Sequence, residues 1–80
     1  MKEMSKEIGG RLREMRTKSG ISLAQVAEVL ALEEGDVEQI EEGERYISAF
    51  EMGVLKEAYG WDARELLGME KQSGEAAKSI

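Results

Sequence analysis

The chain contains no cysteine and no histidine. Without cysteine there is no disulfide framework and no thiolate metal site. Without histidine it lacks the commonest metal ligand and the commonest general base near neutral pH. Carboxylate-only binding of Mg²⁺ or Ca²⁺ would remain, but no calcium loop of the usual spacing is present. Proline is absent as well, while glycine occurs nine times, so glycines must mark most of the breaks in a helical chain. No apolar run approaches the length of a membrane span. The stretch 1–10 is too polar for a secretory signal, which makes the cytoplasm the expected compartment. With 80 residues the chain is long enough for one core and too short for two. An enzyme is not expected, and no cofactor or metal is implied.

Charge is unevenly distributed. The formal net charge is −6, from 17 acidic and 11 basic residues. Residues 1–20 hold six of the basic side chains and three of the acidic ones, so the acidic excess belongs to the rest. A nucleic-acid binder is usually basic, because phosphate contacts supply most of its non-specific affinity.

Hydrophobic periodicity and caps predict five short helices. Ile8, Leu12 and Met15 share one face of a helix over about 5–18, and Gly20 ends it through positive φ. Ser22 and Gln25 form a capping box for a second helix reaching about Leu30, with Val26, Ala27 and Leu30 inward. A third helix runs from Glu33 or Glu34 to Glu41 or Glu42, buries Val37 and Ile40, and stops at Gly43. Gly35 weakens its first turn, whereas acidic residues there favour a helix N-terminus. Ser48 and Glu51 cap a fourth helix to Tyr59, with Phe50, Val54, Leu55, Ala58 and Tyr59 as its core residues. Asp62 and Glu65 open a fifth, with Leu66 and Leu67 inward and Gly68 as its stop. Trp61 is expected to close the core between the last two helices. The expected domain is 5–68, with 69–80 as a flexible C-terminal tail.

Two short helices joined by a tight turn have the geometry that lays one helix in a DNA major groove, although many small helical proteins share that spacing. The residues narrow the field. Ile8 to Arg16, Gly20-Ile21-Ser22, Val26-Ala27, Ile40-Glu41 followed by Gly43, and Ala58-Tyr59-Gly60-Trp61 with Leu66 together resemble the Xre/Cro/C1 (phage-repressor-like) helix-turn-helix family. The resemblance covers about Ile8 to Leu67. It implies an all-α, compact five-helix bundle of the lambda-repressor-like type, sequence-specific binding of double-stranded DNA by a transcriptional regulator, and a homodimer on a palindromic site.

It also implies a structural ion pair between Arg16 and Glu41. Loss of either partner would destabilise a buried pair by roughly 3–5 kcal/mol, and an exposed one far less. The expected DNA-facing positions are Glu34, Gly35, Asp36, Glu38 and Gln39, of which Gln39 is the candidate for binding adenine at two points. Arg11, Arg16 and Lys18 are candidates for a flanking strand, and Arg45 for the backbone. The amides near Ser22 and Leu23 are candidates for a phosphate at a helix N-terminus.

Several positions depart from the family. Leu23 stands where the second helix usually begins with a DNA-touching Gln. Ala31 replaces the turn Gly, a mild change on sequence grounds. Glu33 replaces a Ser or Thr cap, Ile47 the usual Pro, and Lys56 the usual Ala. Glu34, Asp36 and Glu38 put three carboxylates on the recognition face, where they repel phosphates, although a single Glu or Asp can accept a hydrogen bond from cytosine N4. The alternative reading is therefore an acidic protein-interaction or DNA-mimic module. Seven carboxylates between Glu33 and Glu44 would complement a basic protein partner, and an exposed Leu23 would suit such an interface.

Overall fold

A computed structural model describes residues 2–68, with side chains from Ser5 onward. The proposed tail, 69–80, lies outside the described residues. Five helices follow one another: α1 Lys2–Lys18, α2 Leu23–Leu30, α3 Glu34–Glu42, α4 Ala49–Tyr59 and α5 Ala63–Leu67. No strand occurs among the described residues. The fold is a compact all-α five-helix bundle. α1 starts three residues before the expected Ser5.

Local chemistry fixes most helix ends. At α2, Ser22 Oγ accepts from the Gln25 amide at 3.1 Å, and Gln25 Oε1 accepts from the Ser22 amide at 2.8 Å. Ser48 and Glu51 do the same for α4, at 3.1 and 2.9 Å. Asp62 caps α5 through the Arg64 amide at 2.9 Å, while Glu65 reaches back to the Asp62 amide at 3.2 Å. Each exchange satisfies amides that a helix N-terminus otherwise leaves orphaned.

At the C-termini, α3, α4 and α5 stop at glycines with positive φ, and Gly20 follows the end of α1 in the same conformation. The exception is α2, which stops at Ala31 with φ 59° and ψ 40°. The replacement of glycine here is therefore not mild. A Cβ in the left-handed region crowds the following carbonyl oxygen, at a cost of roughly 1–2 kcal/mol. The turn still closes, with the Leu32 amide donating to Ala27 O at 2.8 Å.

α1 packs on α3 and α5, α2 on α3 and α4, and α4 on α5. Between them lie Leu12, Val26, Ala27, Leu30, Val37, Ile40, Leu55, Trp61 and Leu66, all buried. Trp61 stacks on Tyr59 with ring centroids 4.6 Å apart. The α1–α3 crossing is close because Gly9 has no side chain. A Cβ there would fall against the backbone oxygens of Ile40 and Glu41, the latter at 2.8 Å.

Three core expectations fail. Phe50 is 79% exposed, Ala58 is exposed, and Leu67 lies at the surface. In α4 the inward stripe is Met52, Leu55 and Tyr59, recurring three and four residues apart, with Leu55 fully buried. Phe50 therefore stands on another side of the helix. In the single short turn of α5, burying Leu66 turns its neighbour Leu67 outward.

Candidate nucleic-acid interface

The connection from α2 to α3 is Ala31-Leu32-Glu33, short enough to hold the two helices in a fixed relation. A second tie is ionic. Arg16 Nε donates to Glu41 Oε2 at 2.6 Å, and Nη2 donates to Oε1 at 3.2 Å. The remaining guanidinium nitrogen, Nη1, donates to Ile21 O at 3.0 Å. Only 13% of the Arg16 side chain and 4% of the Glu41 side chain is exposed. The hydrogen bond to Glu41 raises the Arg16 pKa above its ordinary value, burial works against it, and the carboxylate's charge adds to the rise. The guanidinium is therefore a permanent bracket joining α1, the approach to α2 and the end of α3.

That bracket holds α3 with Val37 and Ile40 inward and Glu34, Gly35, Glu38, Gln39 and Glu42 exposed. Asp36 is only half-exposed. Its Oδ2 turns back to accept from the Glu33 amide at 3.0 Å, so it caps its own helix. Two carboxylates, Glu34 and Glu38, thus remain beside Gln39 of the three acids expected on that face.

The basic candidates separate by position. Lys18 is exposed in the last turn of α1. All three guanidinium nitrogens of Arg16 are engaged within the fold. Arg11 Nη1 donates to Leu66 O at 3.2 Å, which ties α1 to the C-terminal turn of α5, and its guanidinium lies over Gly68. Arg45 lies just past α3, half-exposed. Its Nη2 is 3.4 Å from Glu51 Oε2, and its Nη1 is buried with no hydrogen-bond partner among the described residues.

Leu23 is half-buried rather than exposed, as the alternative reading had assumed. It lines a cleft of about 100 Å³ with Arg13, Arg16, Glu38, Glu41 and Glu42. Ser22 holds its hydroxyl against the Gln25 amide, leaving Leu23 at the first turn of α2.

Sequence reasoning missed Arg13. It is an exposed cation on the α1 side of that cleft, next to Glu38 and Glu42. Its surroundings depend on how α1 crosses α3, a contact between distant parts of the chain that helical spacing alone does not reveal.

A more open groove, about 500 Å³, lies between α2 and the start of α3. Ala24, Ala27, Leu32 and Gly35 line it together with Glu28, Glu33 and Glu34. Among the described residues no cluster of His, Cys, Asp or Glu is arranged to hold a metal ion. No described helix is long and apolar enough to cross a membrane.

Searches of curated proteins and of solved structures returned no match. Residues 7–67 match the profile of a family described as a helix-turn-helix domain. That span begins in α1 and ends at the last residue of α5. It takes in the turn, the Arg16–Glu41 bracket and the outward face of α3, and over it the chain belongs to the helix-turn-helix domain family.

Proposed function

We propose that the protein is a sequence-specific DNA-binding regulator of the Xre/Cro type, acting in the cytoplasm, with α3 in the major groove. The observation that carries this reading is the bracketed α3, whose outward face presents Gln39 between flanking carboxylates while its inner face is locked to α1. A rigid helix with a free polar face is what base-edge readout requires. Gln39 suits adenine, and Glu34 or Glu38 suits the cytosine N4 donor. Asp36 is engaged in capping α3, which leaves Glu34, Glu38 and Glu42 as the exposed carboxylates of the helix.

Arg13 and Lys18 are the exposed cations suited to phosphate, and Arg45 adds a third contact by exchanging Glu51 for the phosphate. Three phosphate contacts predict that affinity falls roughly 40-fold between about 50 and 200 mM salt. The test is a fluorescence-anisotropy titration against a random duplex library at those two salt concentrations, with selection of retained sequences. Enrichment of one motif, relaxed at a single position by Gln39→Ala, supports the reading. A folded sample that binds no duplex at low salt refutes it.

One observation favours a second reading. The α2–α3 groove has apolar lining from Ala24, Ala27 and Leu32 beside Glu28, Glu33 and Glu34, which suits a basic segment of a protein partner. Glu34→Gln with Glu38→Gln separates the two. DNA affinity rises if α3 meets phosphates, and partner affinity falls if the acidic face is the docking surface.

A further inference from the structure

An acidic recognition helix must come to rest against a polyanion, and the cleft between α1 and α3 bears on how it does so. Glu34, Glu38 and Glu42 follow one another at four-residue intervals, so α3 displays like charges one turn apart, which repel. Arg13 and Leu23 share the cleft with the last two of these. Arg16 and Glu41 line it as well, but their charges are committed to each other. One cation and two carboxylates are left facing the cleft.

Those three charges have not closed on one another. Among the described residues Arg13 makes no ion pair, and neither do Glu38 and Glu42. The gap of about 100 Å³ leaves room for a few waters, which screen the charges in the free protein. A duplex laid along α3 displaces that water. Half-buried Leu23 then stands as an apolar wall beside the charges, and the same attraction becomes stronger for want of screening. A guanidinium has five donors on a planar fork, so Arg13 can hold a carboxylate on one edge and a phosphate on the other.

We propose that Arg13 is a positioning residue for the DNA complex, closing on Glu38 and Glu42 as the duplex dries the cleft and so turning these carboxylates away from the phosphates. This role rests on the DNA-binding reading and explains how a helix this acidic serves it. It also divides the carboxylates of α3. Glu34 lies outside the cleft, against the α2–α3 groove, and is the one left to accept from cytosine N4.

A clasp that tightens only in the complex has a signature that independent charges lack. An interaction equally strong in free and bound protein cancels from the binding constant, so independent effects on affinity are additive. The experiment is a double-mutant cycle of Arg13→Gln against Glu38→Gln with Glu42→Gln in the full chain. Anisotropy at about 50 mM salt is read on the duplex retained from the random library. Arg13→Gln should weaken binding about 30-fold in the native background and only about 3-fold in the double-Gln background, since each carboxylate accounts for roughly 3- to 5-fold. All three side chains are exposed, so the thermal midpoints should stay together, which separates a lost clasp from a damaged fold. Equal losses in the two backgrounds overturn the proposal. A larger loss in the double-Gln background also overturns it, because Arg13 then leaves the carboxylates for phosphate. A native protein that retains no duplex refutes the DNA-binding reading and this role together, whereas one that binds without coupling removes this role alone.

Discussion

Ala31→Gly should make the protein more stable, although it touches no core residue. Ala31 holds φ 59° and ψ 40° at the end of α2, and its side chain is exposed. The left-handed conformation costs an L-residue with a Cβ roughly 1–2 kcal/mol, which glycine escapes. Glycine also gives the unfolded chain more freedom, and that offsets about 0.4–1 kcal/mol. The net gain is about 0.5–1 kcal/mol, equivalent to about 3–6 °C in the unfolding midpoint of a domain this small. Thermal unfolding followed by circular dichroism, with a urea titration to check that the m-value is unchanged, measures it. Ala31→Val supplies the opposite sign, since a β-branched residue tolerates positive φ worst. A midpoint that falls or stays still in Ala31→Gly would show that the turn is not strained by its side chain, and the reasoning would fail.

Three further outcomes follow from the same geometry. Gly9→Ala should lose about 3 kcal/mol by forcing α1 away from the Ile40 and Glu41 carbonyls, whereas Gly10→Ala, with open space around it, should gain about 0.5–1 kcal/mol; urea denaturation of the pair reads both signs. Glu41→Ala leaves the Arg16 guanidinium without its carboxylate and should cost about 3 kcal/mol, with α3 amides exchanging hydrogen faster than those of α4. The Asp62 carboxyl titrates below its ordinary 3.8, held down first by the Arg64 amide and then by Lys56. Because the folded value is the lower one, its contribution is present above the ordinary value and is lost as pH falls through the depressed one. A carbon-detected NMR titration should therefore place its midpoint below 3.8, and a midpoint at or above that value would remove the cap from the account.

What the sequence made legible was local. Ser22 with Gln25, Ser48 with Glu51, and Asp62 with Glu65 each sit three residues apart, and the bonds they form need nothing from the rest of the chain. Asp36 makes half of such an exchange, accepting from the Glu33 amide, but a glutamate in the cap position gives no capping-box signal and its side chain makes no cap bond. Helix rotation was harder. In α4 apolar residues occupy more than one stripe, so Phe50 looked as inward as Leu55 until Met52, Leu55 and Tyr59 were seen to face the bundle. The resemblance marked Ala31 as standing at the turn glycine, but the residue itself gave no sign of the left-handed conformation, which alanine disfavours. The ties made by Arg11 and the place of Arg13 in its cleft depend on how distant helices cross.

The Arg16 bracket has a consequence for how such a protein can change. Glu34, Glu38, Gln39 and Glu42 make no side-chain hydrogen bond to the described residues, while the side chains that fix α3 are Arg16, Glu41, Val37 and Ile40. Within the nine positions of α3, anchoring therefore falls on Val37, Ile40 and Glu41, and display on Glu34, Glu38, Gln39 and Glu42. Substitutions in the displayed set carry little stability penalty, so new recognition properties can be sampled on an unchanged framework. The unusually acidic α3 is then a variation that this framework tolerates, and not a sign that the framework has decayed.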